Sequence, residues 1–225
     1  MERPIGFRHF HAVAMIFVTS LTIADTIAVK IISVGPFTLP AAIIVFPISY
    51  IFSDILTECY GYEKTRTVIW WGFFCLAGMS LMYWIATLLP PAPFWTDQEP
   101  FRRLFGLVPR IAMSSFVAYL VGEFLNSMVM SRIKVLMSGR HLWFRAVAST
   151  VVGQGADSAV FYTAAFAGIY PALTLLKIGV SAFVLKCAYE VIALPLTYVI
   201  VHWLKKAEGV DVYDNNVNYT PFKLT

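Results

Sequence analysis

Six apolar runs constrain this 225-residue chain more than any other feature. They cover Phe10–Val34, Leu39–Leu56, Thr67–Leu89, Ile111–Met130, Phe144–Ile169 and Ile178–Leu204. A helix that crosses the hydrocarbon of a bilayer needs about 20 apolar residues, and the second run only just qualifies. Hydrocarbon offers no water to backbone N–H and C=O groups, so a spanning segment must be a helix or part of a closed barrel. The alternating ten-residue pattern of a barrel is absent. The expected fold is therefore all-α: a polytopic membrane protein, with a bundle of six transmembrane helices over residues 1–207. A polar, mobile cytoplasmic tail is expected over 208–225.

Composition agrees. Charged residues make up 13% of the chain against 59% hydrophobic, and the mean hydropathy is +0.71. Soluble domains carry about 25% charged residues. Met1–Phe17 has the charge-then-apolar order of a signal peptide, but no small-x-small cleavage site follows, so it is read as part of an uncleaved first helix. Gly35 and Pro36, Gly61, Pro90 with Pro91 and Pro93, Gly139 and Pro171 fall between the runs. Pro47 and Pro195 fall inside them and are expected to kink their helices. Cys59, Cys75 and Cys187 show no metal-ligand spacing and are read as free thiols.

Lys and Arg set the orientation. Ten lie on the side that holds the N-terminus, the second and fourth loops and the tail, against three (Arg102, Arg103 and Lys177) on the other. Both termini are therefore expected in the cytoplasm, which requires an even number of crossings. The same bias accounts for the net charge of +4 without nucleic acid as a partner.

The third run carries no charge, whereas others carry several. Each charged group at the centre of a membrane helix costs about 2.5–3.5 kcal/mol unless it is paired or hydrated. Glu123, Asp157, and Lys186 with Glu190 lie near the middle of the fourth, fifth and sixth runs. Ser115, Tyr119, Glu123 and Asn126 share one helical face, as do Thr150, Gly153, Gln154, Asp157 and Phe161. This points to a midplane binding site for a small polar molecule. The candidate substrate-binding residues are Glu123, Asp157, Asn126, Gln154, Glu190, Lys186, Phe161 and Tyr119. Mutual neutralisation, with Lys186 pairing to Asp157 or Glu190 as structural glue, is the competing reading. Asp54 and Glu58, one turn apart at the end of the second run, are candidates for a gate at the cytoplasmic mouth. Asp25 and Lys30 are read as interfacial or helix-pairing groups, and Arg110 as an interface anchor. Ser114, Ala118 and Gly122 form a small-residue packing seam, and Ala24 with Ala28 a second, weaker one.

No GxxxxGK[ST], HExxH or GxSxG is present, so P-loop ATP hydrolysis is excluded and an enzyme is disfavoured. No cofactor, metal or catalytic residue is expected.

The stretches FPISYIFSDILTECYGYEKTR (Phe46–Arg66), RIAMSSFVAYLVGEFLN (Arg110–Asn126) and WFRAVASTVVGQGADSAVFYTAAFAG (Trp143–Gly168) resemble the queuosine precursor transporter family, as does the segment around Lys186. That family belongs to the vitamin uptake transporter class and is similar to the six-helix substrate-binding subunits of energy-coupling-factor transporters. The resemblance, from about Ala24 to Leu204, implies inner-membrane import of 7-cyano-7-deazaguanine or 7-aminomethyl-7-deazaguanine. Carboxylates would hold the N–H groups, Asn126 and Gln154 the remaining edge. The alternatives are a binding subunit needing a separate ATPase module, with Ala24 and Ala28 as its docking surface, and an intramembrane enzyme or structural subunit. Expected partners are the deazaguanine base, the lipid bilayer, and either a second copy of the chain or an energy-coupling module.

Overall fold

The computed structural model describes residues 7–27, 30–34, 37–105, 109–166, 168, 171–209 and 211–222. Its elements are α1 (Phe10–Ile27), β1 (Ile31–Val34), β2 (Phe37–Pro40), α2 (Phe46–Tyr60), α3 (Tyr62–Leu88), α4 (Gln98–Phe105), α5 (Pro109–Leu136), α6 (Leu142–Phe166) and α7 (Ala172–Glu208). A 3-10 turn at Ala41–Ile44 precedes α2. The chain is thus all-helical apart from one two-stranded ribbon.

Six of these helices are long, and hydrogen bonds fix their directions. The Arg8 and His9 amides donate to the Glu208 carboxylate at 2.8 and 2.6 Å, so α1 starts where α7 ends. Gly61 joins the end of α2 to the start of α3. Lys134 at the end of α5 and Arg145 at the start of α6 both reach Glu58 near the end of α2. The long helices therefore alternate in direction, and both described termini lie at one end, called here the terminal end. At the opposite end α4 covers the last turn of α3, where Gln98 and Arg102 donate to the Thr87 carbonyl.

The bundle buries polar side chains beside an apolar core, and its outer surface is apolar. Trp71, Phe74, Leu81, Met82 and Trp84 of α3 are exposed, as are Val184, Val191, Ile192, Leu196 and Val199 of α7. On the inner side of α7, Glu190 and Thr197 are buried. Such a surface suits lipid, which imposes no penalty on exposed Leu or Phe. Four helices are long and apolar enough to cross a membrane: α1, α3, α5 and α7. The other two are special. In α6 the apolar run is diluted by Thr150, Gln154, Asp157 and Ser158. The 15 residues of α2 rise only about 22 Å.

Three expectations about the runs need correction. The first run does not continue as helix to Val34, nor does the second begin its helix at Leu39. Helix α1 stops at Ile27, and the β-branched and aromatic residues that flank Gly35–Pro36 pair as the ribbon, Ile31 opposite Pro40 and Val34 opposite Phe37. Pro47 lies in the first turn of α2, where its missing N–H costs nothing and the expected kink is not imposed. Pro195 is inside α7 as expected. Ala24 is completely buried in the bundle, so it offers no outward docking face. Ala28 and the Arg110 side chain lie outside the described residues.

The tail is docked rather than mobile. Asp214 accepts the Tyr62 amide at 2.9 Å and the Ser131 hydroxyl at 2.5 Å. Buried Arg66 donates to the carbonyls of Asn218 and Thr220, and Trp70 to that of Pro221. Gly61 makes this possible. Its φ of +82° is open to glycine at no steric cost, and a Cβ there would lie 2.8 Å from the Asp214 carboxylate. Asp211 accepts from Lys134 at 2.5 Å and pairs with Lys205 at 2.9 Å. Burial alone would push the Asp211 carboxyl up, but the hydrogen bonds from Lys134 and Lys205 hold it below its ordinary value. Because the folded value is the lower one, this contribution is complete above about pH 4 and is lost as pH falls below that. A nitroxide at exposed position 216 (Asn216→Cys, with Cys75 and Cys187 replaced) should stay immobile from about pH 7 to 5 and gain mobility as pH falls below about 4. A signal that stays unchanged until the whole bundle unfolds in acid would contradict this.

Candidate functional site

Helix α2 organises the interior. Ser49, Ser53, Asp54, Thr57 and Glu58 recur at three- and four-residue spacing, so they form one stripe. Each is at most 1% exposed. A helix with this face is stable in a membrane only when other helices cover it. The interior that surrounds the stripe has three levels.

At the first level, a cavity of about 210 Å³ opens between all six long helices. Its aromatic wall is Tyr50, Phe116, Tyr119, Phe161 and Tyr162. Tyr119 is held by its hydroxyl, which donates to the Ile69 carbonyl at 3.0 Å. On the same lining, Lys186 donates to Asp157 at 2.9 Å, with the side chains 22% and 13% exposed. Asp25 also lines the cavity. It is therefore part of the interior site and not only the interfacial group expected.

At the second level, Ser53 donates to Glu123 at 2.6 Å, and Asn126 donates to Asp54 at 2.8 Å. Neither Glu123 nor Asn126 lines the cavity; both are completely or almost completely buried behind it. Gln154 and Glu190 line a smaller adjoining hollow of about 10 Å³, with Thr150 and Tyr189. The Thr150 hydroxyl and one Glu190 oxygen have no hydrogen-bond partner, and the Gln154 amide has no close one apart from the neighbouring Tyr50 hydroxyl. Each such buried atom costs about 1–3 kcal/mol if it stays unmet.

At the third level, near the terminal end, Glu58 joins three cations. Arg145 grips it with both terminal nitrogens, Lys205 lies 2.5 Å away and Lys134 3.5 Å. Lys134 also donates to the Glu58 carbonyl at 2.6 Å. Asp54 lies one turn deeper, outside this knot.

The sequence-predicted residues are thus sorted by depth. Asp157, Lys186, Tyr119 and Phe161 converge on the cavity. Gln154 and Glu190 line its neighbour, Glu123 and Asn126 stand behind, and Glu58 lies in an ion-pair knot near the terminal end. Sequence reasoning passed over Tyr50, Ser53, Arg145 and Lys205. Tyr50 and Ser53 were legible as members of the same spaced stripe as Asp54 and Glu58. Arg145 and Lys205 stand at run boundaries, where a cation looks like an interface anchor. Among the described residues, no three His, Cys, Asp or Glu side chains converge to hold a metal ion.

Close helix contact keeps these levels in register. A Cβ on Gly122 would lie 2.9 Å from the Asp157 Cβ, and one on Gly153 would lie 2.8 Å from the Asn126 Cβ and 2.9 Å from the Gly122 carbonyl. Gly122 belongs to the predicted seam, and Gly153 completes it from α6. Gly153→Ala should therefore cost about 1–3 kcal/mol through overpacking. Thermal unfolding in detergent would show it. Gly78→Ala, at a position with nothing within 4 Å, is the control and should be neutral or stabilising.

Residues 40–200 match the family described as "Putative vitamin uptake transporter". The chain belongs to the vitamin uptake transporter family. The family match contains every lining residue of both hollows except Leu21 and Asp25. Over 176 residues the chain is 32% identical to a Bacillus subtilis (strain 168) protein named "Probable queuosine precursor transporter", covering 78% of this chain and 77% of that one. A Haemophilus influenzae relative of the same name is 30% identical over 54% of this chain and 49% of its own. The Escherichia coli (strain K12) "Queuosine precursor transporter" is 26% identical over 54% and 52%. No solved structure matches. As a family member, the chain is a multi-pass membrane transporter.

Proposed function

We propose that this chain imports queuosine precursors, 7-deazaguanine bases, across the inner membrane for salvage into tRNA modification. The relatives' names suggest this cargo, and one observation supports it within the chain: a cavity with five aromatic side chains on its lining and a single ion pair. Aromatic faces stack on flat heterocycles, and charged groups give orientation. At about 210 Å³ the cavity is smaller than the roughly 300–1,000 Å³ of drug-sized sites, which favours a bicyclic base over a nucleoside.

In this reading Asp157 and Lys186 orient the base, and Tyr50, Tyr119 and Phe161 stack on it. Glu123 and Asn126 hold α2 and α5 in place behind the site. The Glu58 knot closes the cytoplasmic mouth, since the positive-inside bias puts the terminal end in the cytoplasm. Two acids, Asp25 and Asp157, face one base, Lys186, so the cationic 7-aminomethyl form should bind more tightly than the 7-cyano form. Equal binding of both forms, with Asp157→Asn changing neither, would rule that preference out.

The test is uptake of labelled deazaguanines by cells that lack and then regain this chain. Purified chain in liposomes separates autonomous transport from transport that needs an ATPase module. Restored uptake in cells and net flux in liposomes are expected. Failure to restore uptake in cells would refute the cargo.

A further inference from the structure

The smaller hollow holds an oddity that transport in general does not explain. It is only about 10 Å³, room for about one water, yet Thr150 and Glu190 present unpartnered polar atoms there, and Gln154 an amide with only the Tyr50 hydroxyl beside it. All three side chains are at most 3% exposed. Buried polar groups in folded proteins are nearly always satisfied. These atoms come from two different helices, α6 and α7, and converge beside the main cavity. Ile43, Tyr50 and Lys186 line both hollows, so these three side chains form a shared wall.

We propose that the two hollows are one bipartite site. The ring of the cargo stacks in the aromatic cavity, and its hydrogen-bonding edge passes the wall at Tyr50 and Lys186 to reach Thr150, Gln154 and Glu190. The chemistry of this second part is specific. Glu190 supplies an acceptor, the Gln154 amide an acceptor and two donors, and the Thr150 hydroxyl either. Together they match an edge that carries an exocyclic amino group, a ring N–H and a carbonyl side by side. The main cavity offers carboxylates, one ammonium and hydroxyls on its lining but no side-chain amide. The smaller hollow therefore reads the edge of the heterocycle, and the larger one accepts its faces and the substituent opposite. This rests on the transport reading above and adds the part of the site that selects among flat bases.

The test uses the full chain in nanodiscs and two probes: 7-aminomethyl-7-deazaguanine and the same bicycle without its 2-amino group. The wild type should prefer the amino compound by about tenfold or more, because a site built to hydrogen-bond a group rejects the analogue that lacks it. Gln154→Leu should weaken binding of the amino compound by about tenfold and erase the preference. Its Tm without ligand should change little, since the Gln154 amide has no close partner apart from the neighbouring Tyr50 hydroxyl. Thr150→Val, nearly the same shape, should weaken binding in the same direction without lowering Tm. A preference that survives in both variants would overturn the proposal. So would a fall in Tm that accompanies the loss of affinity, which would make Gln154 a structural prop. If the wild type binds neither probe, the transport reading itself has failed, whereas equal binding of both by the wild type refutes only the bipartite site.

Discussion

Glu58→Ala is expected to destabilise the folded bundle by about 3–5 kcal/mol, the cost of removing one partner from a buried ion pair. The reason lies in what remains. Lys134 and Lys205 keep Asp211. Arg145, whose side chain is 1% exposed, keeps only the Gly139 carbonyl, and its Nε has no partner even in the intact protein. Most of the loss therefore falls on one guanidinium. Unfolding in detergent should reveal it as a large drop in Tm. Glu99→Ala, which breaks the exposed pair with Arg103, should cost less than about 0.5 kcal/mol. Glu58→Leu combined with Arg145→Met should recover much of the difference, since a buried ion pair is often replaceable by apolar side chains. A Glu58→Ala protein as stable as the wild type would show that the knot is not a structural lock.

Asp157→Ala should lower the initial rate of precursor uptake by at least about tenfold, the equivalent of one lost charge-assisted contact. The substitution takes from Lys186 its carboxylate partner in the wall of the cavity. Structural glue and substrate recognition make opposite forecasts for the double variant Asp157→Ala with Lys186→Met. If the pair only neutralises charge, removing both halves restores uptake. If it orients cargo, stability returns and uptake does not. The second result is expected, and uptake restored to the wild-type rate would refute the role of the pair in recognition.

Much of this was legible in the residues. The six runs mark the six long helices, and the charge bias called for an even number of crossings, which agrees with α1 starting beside the end of α7. The stripes on α5 and α6 were visible because buried polarity in a membrane helix has to follow helical spacing. What the sequence hid was mostly at boundaries. Residues 31–40 are apolar enough to read as helix ends, and only pairing across Gly35–Pro36 makes them strands. The tail looked mobile because its composition is polar. Its order comes from partners more than 80 residues away, Tyr62, Arg66 and Ser131, which no local pattern reports. The division of the interior into two hollows was equally hidden. It depends on where the Tyr50 ring lies, and helical spacing places Tyr50 on the face of Asp54 without reporting which hollow its ring divides.

The shortness of α2 has a consequence for biogenesis. A segment that rises only about 22 Å and carries Asp54 and Glu58 partitions poorly into lipid by itself. Its partners for those carboxylates, Asn126 on α5, Arg145 on α6 and Lys205 on α7, are all translated later. Residues 46–60 should therefore wait at the membrane surface or in the translocon until the C-terminal half emerges, and a ribosome stalled before residue 145 should leave them open to modification by aqueous reagents.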